Sequence, residues 1–198
     1  PVMFTPGEKY AYSNPGIAML TYAVTASLES SDYNDVRTYL QERIYEPIGI
    51  DEEEYSIGYG NTYTTGGLEL VPGWGGGAFT ARAVARIGLL MLHKGNWQGK
   101  QIIDSSAVEK VTRYCGTALP TDPSAIEENL RDKNNPIPAT TAGWYSNYDG
   151  VWAHVPRDAF AGGGAGNQHL FVIPGMNMVI VRMGSNLFDE SKGEGFWL

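Results

Sequence analysis

Tyr12 and Asn14 stand two residues apart, immediately ahead of Pro15-Gly16. A phenol and a carboxamide at the entrance of a helix can face one ligand from the same side of a turn. The phenol can pass a proton, and the carboxamide can both donate and accept a hydrogen bond. The same spacing also describes a packed aromatic beside a helix cap. Far along the chain, Gly162-Gly163-Gly164 leads into Ala165 and Gly166. Such a run lets a ligand come close to bare backbone N–H groups, or it is a strand entry or bulge. His93, His154 and His169 are too far apart for a compact metal motif, and G-x-S-x-G, the Walker loop and H-E-x-x-H are all missing. No metal and no cofactor is therefore expected. The acidic run 51–54 reads as a solvated corner in preference to a cation site. Trp74, Trp144, Tyr145 and Trp152 suit either a cleft wall or a core, and His154 and His169 fall on strand patterns as structural residues.

These groups need elements to hold them. Asn14 as cap with Pro15 behind it, then Ile17, Leu20, Val24 and Leu28 at helical spacing, predicts a helix over 15–30. Asp35 caps a second helix, with Val36, Leu40 and Ile44 on one face and Pro47 closing it. Residues 58–77, rich in Gly, Tyr and Thr, read as an ordered loop. Thr80 caps a third helix whose buried stripe is Val84, Ile87, Leu90 and Met91, with Gly95 ending it. Asp104 or Ser105 starts a fourth, with Val108 and Val111 inward. The polar, proline-bearing stretch 115–141 reads as a long surface excursion. Beyond it the period becomes two: 144–148 and 151–155 form an expected hairpin about Asp149-Gly150, and 168–173 with 178–183 form another about 174–177. Helices first and an antiparallel sheet last make an α+β order, approximately 1–140 helical lobe and loops and 141–198 sheet strands.

Composition bounds what such a chain can do. Across 198 residues, 14 Lys plus Arg against 22 Asp plus Glu leave a net charge of −8, and no basic cluster exists to release counterions from a nucleic acid or an anionic bilayer. No apolar run approaches the roughly 20 residues of a membrane helix. At 42% hydrophobic the chain can bury a core, while 25 glycines speak for loops and turns over a plain bundle. The lone Cys115 can close no internal disulfide and names no compartment.

Tyr12-Ser13-Asn14 resembles the Tyr-x-Asn element of the penicillin-recognising serine hydrolases, in the branch of class C β-lactamases, DD-peptidases and related esterases. The likeness runs on through Tyr45-Glu46-Pro47-Ile48-Gly49-Ile50, Gly75-Gly76-Gly77-Ala78-Phe79-Thr80, the glycine turn 95–103, and the strands 158–164, 168–174 and 178–184. It implies a β-lactamase/transpeptidase-like fold, with an antiparallel sheet beside a helical lobe. Its chemistry would be acyl transfer to water through an acyl-serine, on a small-molecule ester, amide, β-lactam or peptide substrate, and its location periplasmic or secreted. By position, the resemblance makes Tyr12 the proton-relay phenol and Asn14 the amide that holds substrate or lysine. Gly162, Gly163 and Gly164 become the third element, with the N–H of Ala165 as an oxyanion donor. Gly162 stands where that element usually opens with Lys or His, which favours an esterase, amidase or peptidase-like member over a β-lactamase. The family's nucleophile motif, Ser-x-x-Lys, occurs nowhere in the 198 residues. It is expected ahead of Pro1, so that the N-terminal part of the fold is missing, the chain alone is inactive, and it self-associates or takes the rest from a partner. A non-catalytic binding module on the same fold is the alternative.

Overall fold

A computed structural model describes residues 4–33, 35–116 and 139–184. The first helix, α1 (Asn14–Ser27), is capped by Ser13, whose hydroxyl accepts the Gly16 N–H at 3.0 Å. The cap thus lies one residue before the expected Asn14, which becomes the first helical residue. Pro15 follows in the opening turn, where a missing N–H costs nothing. Thr21 and Thr25 are the buried residues of α1, and their hydroxyls donate to the carbonyls of Ile17 and Thr21 at 3.0 and 2.8 Å, which makes burying them affordable.

The second helix, α2 (Val36–Leu40), begins as expected, with the Asp35 carboxylate accepting the Thr38 N–H at 2.9 Å. It widens into a π-type turn, Gln41–Tyr45, and tightens into a 3₁₀ turn, Glu46–Ile48, before Gly49 ends it at φ +75°. Tyr45, Ile48 and Ile50 then pack with Ala83 and Leu90 as one buried cluster. A short ladder, β1 (Tyr55–Ser56), awaits its partner further on. The stretch expected as loop contains a hairpin, β2 (Tyr63–Thr65) with β3 (Leu68–Leu70), turned through Gly66-Gly67 at φ +59° and +85°. Both glycines at positive φ are what a two-residue hairpin turn demands. β4 (Ala78–Phe79) pairs with β1.

Thr80 caps α3 (Ala81–Leu92) by accepting the Ala83 N–H at 3.1 Å. After it, Gly95 lies at φ +81°, and a Cβ there would come within 2.1 Å of the Ile103 carbonyl oxygen. The turn carries β5 (Asn96–Trp97) against β6 (Lys100–Gln101), and Asp104 caps α4 (Ser105–Thr112), which buries Val108.

The remaining described strands are β7 (Ala139–Thr140), β8 (Tyr145–Ser146), β9 (Phe160–Gly164), β10 (Gln168–Ile173) and β11 (Met178–Arg182). They form an antiparallel sheet in the order β11-β10-β9-β8-β7. α3 lies on it through Gly88, where a Cβ would meet Val179 Cγ1 at 2.6 Å and Leu170 Cδ1 at 2.8 Å, so this close approach needs glycine. Beneath it, Met91, Val108, Phe160, Leu170 and Val172 make a second buried cluster. The hairpin expected over 144–155 is replaced by β8 and a loop. Fully buried Asn147 holds that loop: its Nδ2 donates to the carbonyls of Trp152, Val155 and Pro156 at 3.1, 2.7 and 3.2 Å, and its Oδ1 accepts the Trp152 N–H at 2.9 Å. One side chain supplies what a strand partner would have. Of the excursion expected over 115–141, residues 117–138 lie outside the described residues.

Candidate functional site

A cleft of about 1050 Å³ is lined by the entrance of α1, by the loop 73–77 and by the far end of β9. Tyr12, Asn14, Gly162, Gly163, Gly164 and Ala165 all line it, so the structure brings together every candidate drawn from the sequence. Because Ser13 does the capping, the exposed carboxamide of Asn14 is left to the cleft. Tyr12 is 43% exposed. The wall between is apolar, with Ile17, Leu20, Val24, Leu40, Ile57 and Ile87 among its residues. Trp74, Trp144 and Tyr145 also face it, whereas Trp152 is core, edge-on to Phe171 at 4.9 Å between centroids.

The glycines of β9 are set by register. β8 pairs with β9 only at Ala161 and Phe160, opposite Tyr145 and Ser146, so 162–164 run past the end of β8 with strand pairing on the β10 side. Neither Gly162 nor Gly164 has a positive φ. An added Cβ would come no nearer than 3.8 Å to Trp144 at Gly162 and 3.5 Å to Gln168 at Gly164. Conformation and crowding therefore do not call for glycine at these two positions. What glycine does there is leave the peptide groups bare beside the cleft. Ala165 follows, at the head of a turn through Gly166 and Asn167 at φ +75° and +56°. That turn is clamped from β11, where Arg182 donates to the carbonyls of Gly166 and Asn167, and from the start of β10, where Gln168 Nε2 donates to the Gly166 carbonyl at 3.0 Å.

Among the described residues, no Lys or Arg lines the cleft, and no group of three His, Cys, Asp or Glu side chains is placed to hold a metal ion. Tyr45 at the cleft wall is 7% exposed, and burial pushes its phenol up to about 12, with Tyr55 adding to the effect. It stays neutral at ordinary pH. The acidic corner is anchored by Glu54, which accepts from Arg86 at 2.8 Å and from the Thr80 hydroxyl at 3.1 Å. Its carboxyl is held below the usual carboxylate range, first by the Asp51 backbone N–H.

His154, expected on a strand, is exposed in the Asn147 loop. His169, expected to be structural, sits opposite Gly163 on β10 and lines the cleft, as do Gln168 and Tyr59. The position of Gln168 and His169 directly after a glycine turn that itself follows the triglycine was the available signal for the first two. For Tyr59 it was the glycine on either side.

Neither a family model nor a curated protein matches this sequence. Solved structures do match. A Bacillus anthracis protein described as a 6-aminohexanoate-dimer hydrolase superposes with a TM-score of 0.60 at 23% identity, over 93% of this chain and 40% of its own. A Bacteroides dorei protein described as a β-lactamase gives 0.61 at 14%, over 93% and 54%. Simvastatin synthase from Aspergillus terreus gives 0.61 at 15%, over 91% and 50%. The chain has the β-lactamase/transpeptidase-like fold. It spans about half the length of these structures. Within this β-lactamase/transpeptidase-like fold, the entrance of α1 carries Tyr12 and Asn14, β9 carries the glycines, and both line the cleft. Among the described residues no helix is long and apolar enough to cross a membrane.

Proposed function

We propose that this chain supplies most of the site of a serine hydrolase that cleaves an ester or amide through an acyl-serine. The observation carrying the reading is that a phenol, a carboxamide and a bare strand end line one cleft although 150 residues of sequence separate the helix entrance from the glycines. The fold is shared with proteins described as a hydrolase and a β-lactamase, which lends further support.

In this reading a serine hydroxyl from a segment outside these residues gives its proton to the Tyr12 oxygen as it attacks the substrate carbonyl carbon, and the new C–O bond places negative charge on the carbonyl oxygen. The N–H of Ala165, at the clamped end of β9, donates to that oxygen; a fixed donor needs no reorganisation as charge develops. Collapse breaks the bond to the alcohol or amine, which leaves with a proton delivered by Tyr12, and water repeats the sequence to release the acid. A phenol of ordinary pKa near 10 is a weak base at neutral pH, so the relay needs a cation beside it. With no Lys or Arg among the described cleft residues, that cation comes in this reading from the nucleophile's segment, with Asn14 orienting it or the substrate. The apolar wall suits the packing of that segment.

The test is hydrolysis of p-nitrophenyl acetate by the full-length encoded polypeptide and its Tyr12→Phe variant. Phenylalanine keeps the ring and removes the proton carrier, so kcat is expected to fall by roughly 10²- to 10⁴-fold. A kcat within about threefold of wild type excludes Tyr12 from proton transfer.

A further inference from the structure

Gly58, Tyr59 and Gly60 lie at φ +66°, +58° and +70°, three left-handed residues in succession. Glycine adopts this conformation freely, and for a bulky residue it is costly. Gly58 is required, since a Cβ would stand 2.7 Å from Val71 Cγ1 and 2.8 Å from Pro72 Cδ. Tyr59 has no such excuse, because it is 63% exposed and its ring buries little surface in return for the strain. Its backbone N–H donates to the Gly76 carbonyl at 3.4 Å.

The ring is seated on two more glycines. A Cβ on Gly75 would lie 2.4 Å from the Tyr59 hydroxyl and 3.5 Å from Cε2, and one on Gly76 would lie 2.5 Å from Cγ and 2.7 Å from Cδ1. The two glycines thus approach the ring at its hydroxyl end and at its Cγ end. A side chain at Gly75 would displace the ring, and one at Gly76 would strike the Tyr59 backbone nitrogen as well as the ring. The residue lines the same cleft as Tyr12 and Asn14. Strain retained without burial, at a cleft, is the pattern of a residue held for a ligand.

We propose that Tyr59 is a specificity-determining platform, on which the exposed ring stacks a flat aryl group carried by the acyl part of the substrate. This rests on the hydrolase reading above. The acyl part is favoured because it stays in the cleft through the covalent intermediate, whereas the leaving group departs. Offset stacking on a fixed ring discriminates by geometry as well as by area.

The experiment compares kcat/KM of the full-length polypeptide for p-nitrophenyl phenylacetate and p-nitrophenyl acetate, which share a leaving group. Tyr59→Ala is expected to lower the phenylacetate-to-acetate ratio by about fivefold, and Tyr59→Phe to hold it within about twofold of wild type. Tyr59→Gly is expected to lower the ratio as alanine does while raising the melting temperature, because glycine relieves the backbone. A ratio unaltered in Tyr59→Ala overturns the platform, and so does a Tyr59→Gly variant that melts lower with selectivity intact. If the wild type hydrolyses neither ester, the hydrolase reading alone has failed. Ligand-observed NMR with phenylacetamide then decides: weaker binding to Tyr59→Ala upholds the platform, and equal binding overturns it.

Discussion

Asn147 illustrates how much one side chain can organise. Its carboxamide makes four hydrogen bonds to backbone groups of 152–156, and the residue is wholly buried. Asn147→Ala leaves those groups short of partners, so a loss of about 3 kcal/mol is expected in chemical denaturation. A loss below about 1 kcal/mol would show that water replaces the amide without penalty. None of this was legible beforehand. Asp149-Gly150 between apolar runs reads as a hairpin turn, and nothing in local spacing says that a buried amide closes the loop instead. Tyr12 and Asn14 were legible as types ahead of a helix. Which of Ser13 and Asn14 would cap it was not, because both side chains are good caps and the choice depends on the chain's path into α1.

Elements were legible in proportion to how locally they are determined. α2, α3 and α4 start where Asp35, Thr80 and Asp104 predict, since a cap and its recipient N–H lie three residues apart. β10 and β11 follow from their period of two and the turn between them. The two-residue strands β1, β4, β5, β6, β7 and β8 have no period to read, and each exists through its pairing, local for β5 with β6 and distant for β1 with β4. The β2-β3 hairpin was signalled by Gly66-Gly67 but lay hidden in a glycine-rich stretch. Within the described sheet, β11 is an outer strand, and its Met178 and Ile180 are 38% and 47% exposed. An apolar edge of that kind recruits another strand. The isolated 198-residue chain is therefore expected to self-associate, and light scattering should report a mass above that of one chain. A monodisperse monomer contradicts this.

At the scale of the molecule, the entrance of α1 and the far end of β9 meet at one hollow. The α+β order was readable from where the hydrophobic period changes, and the fold neighbours agree with it. Convergence of Tyr12 and Ala165 was expected from the family resemblance and from nothing local, since the two share no local signal. His169 and Tyr59 reach the cleft through register and a strained turn, which only three dimensions give. A site made this way has a phenol, a carboxamide and a glycine-rich strand end along one cleft, and in the proposed function it awaits a hydroxyl. The most direct measurement is intact-mass spectrometry with peptide mapping of the full-length polypeptide during turnover of p-nitrophenyl acetate. One acetyl group is expected, carried on a serine of a Ser-x-x-Lys sequence outside these 198 residues. An acetyl group on a residue within them, or turnover with no such serine in the polypeptide, contradicts it.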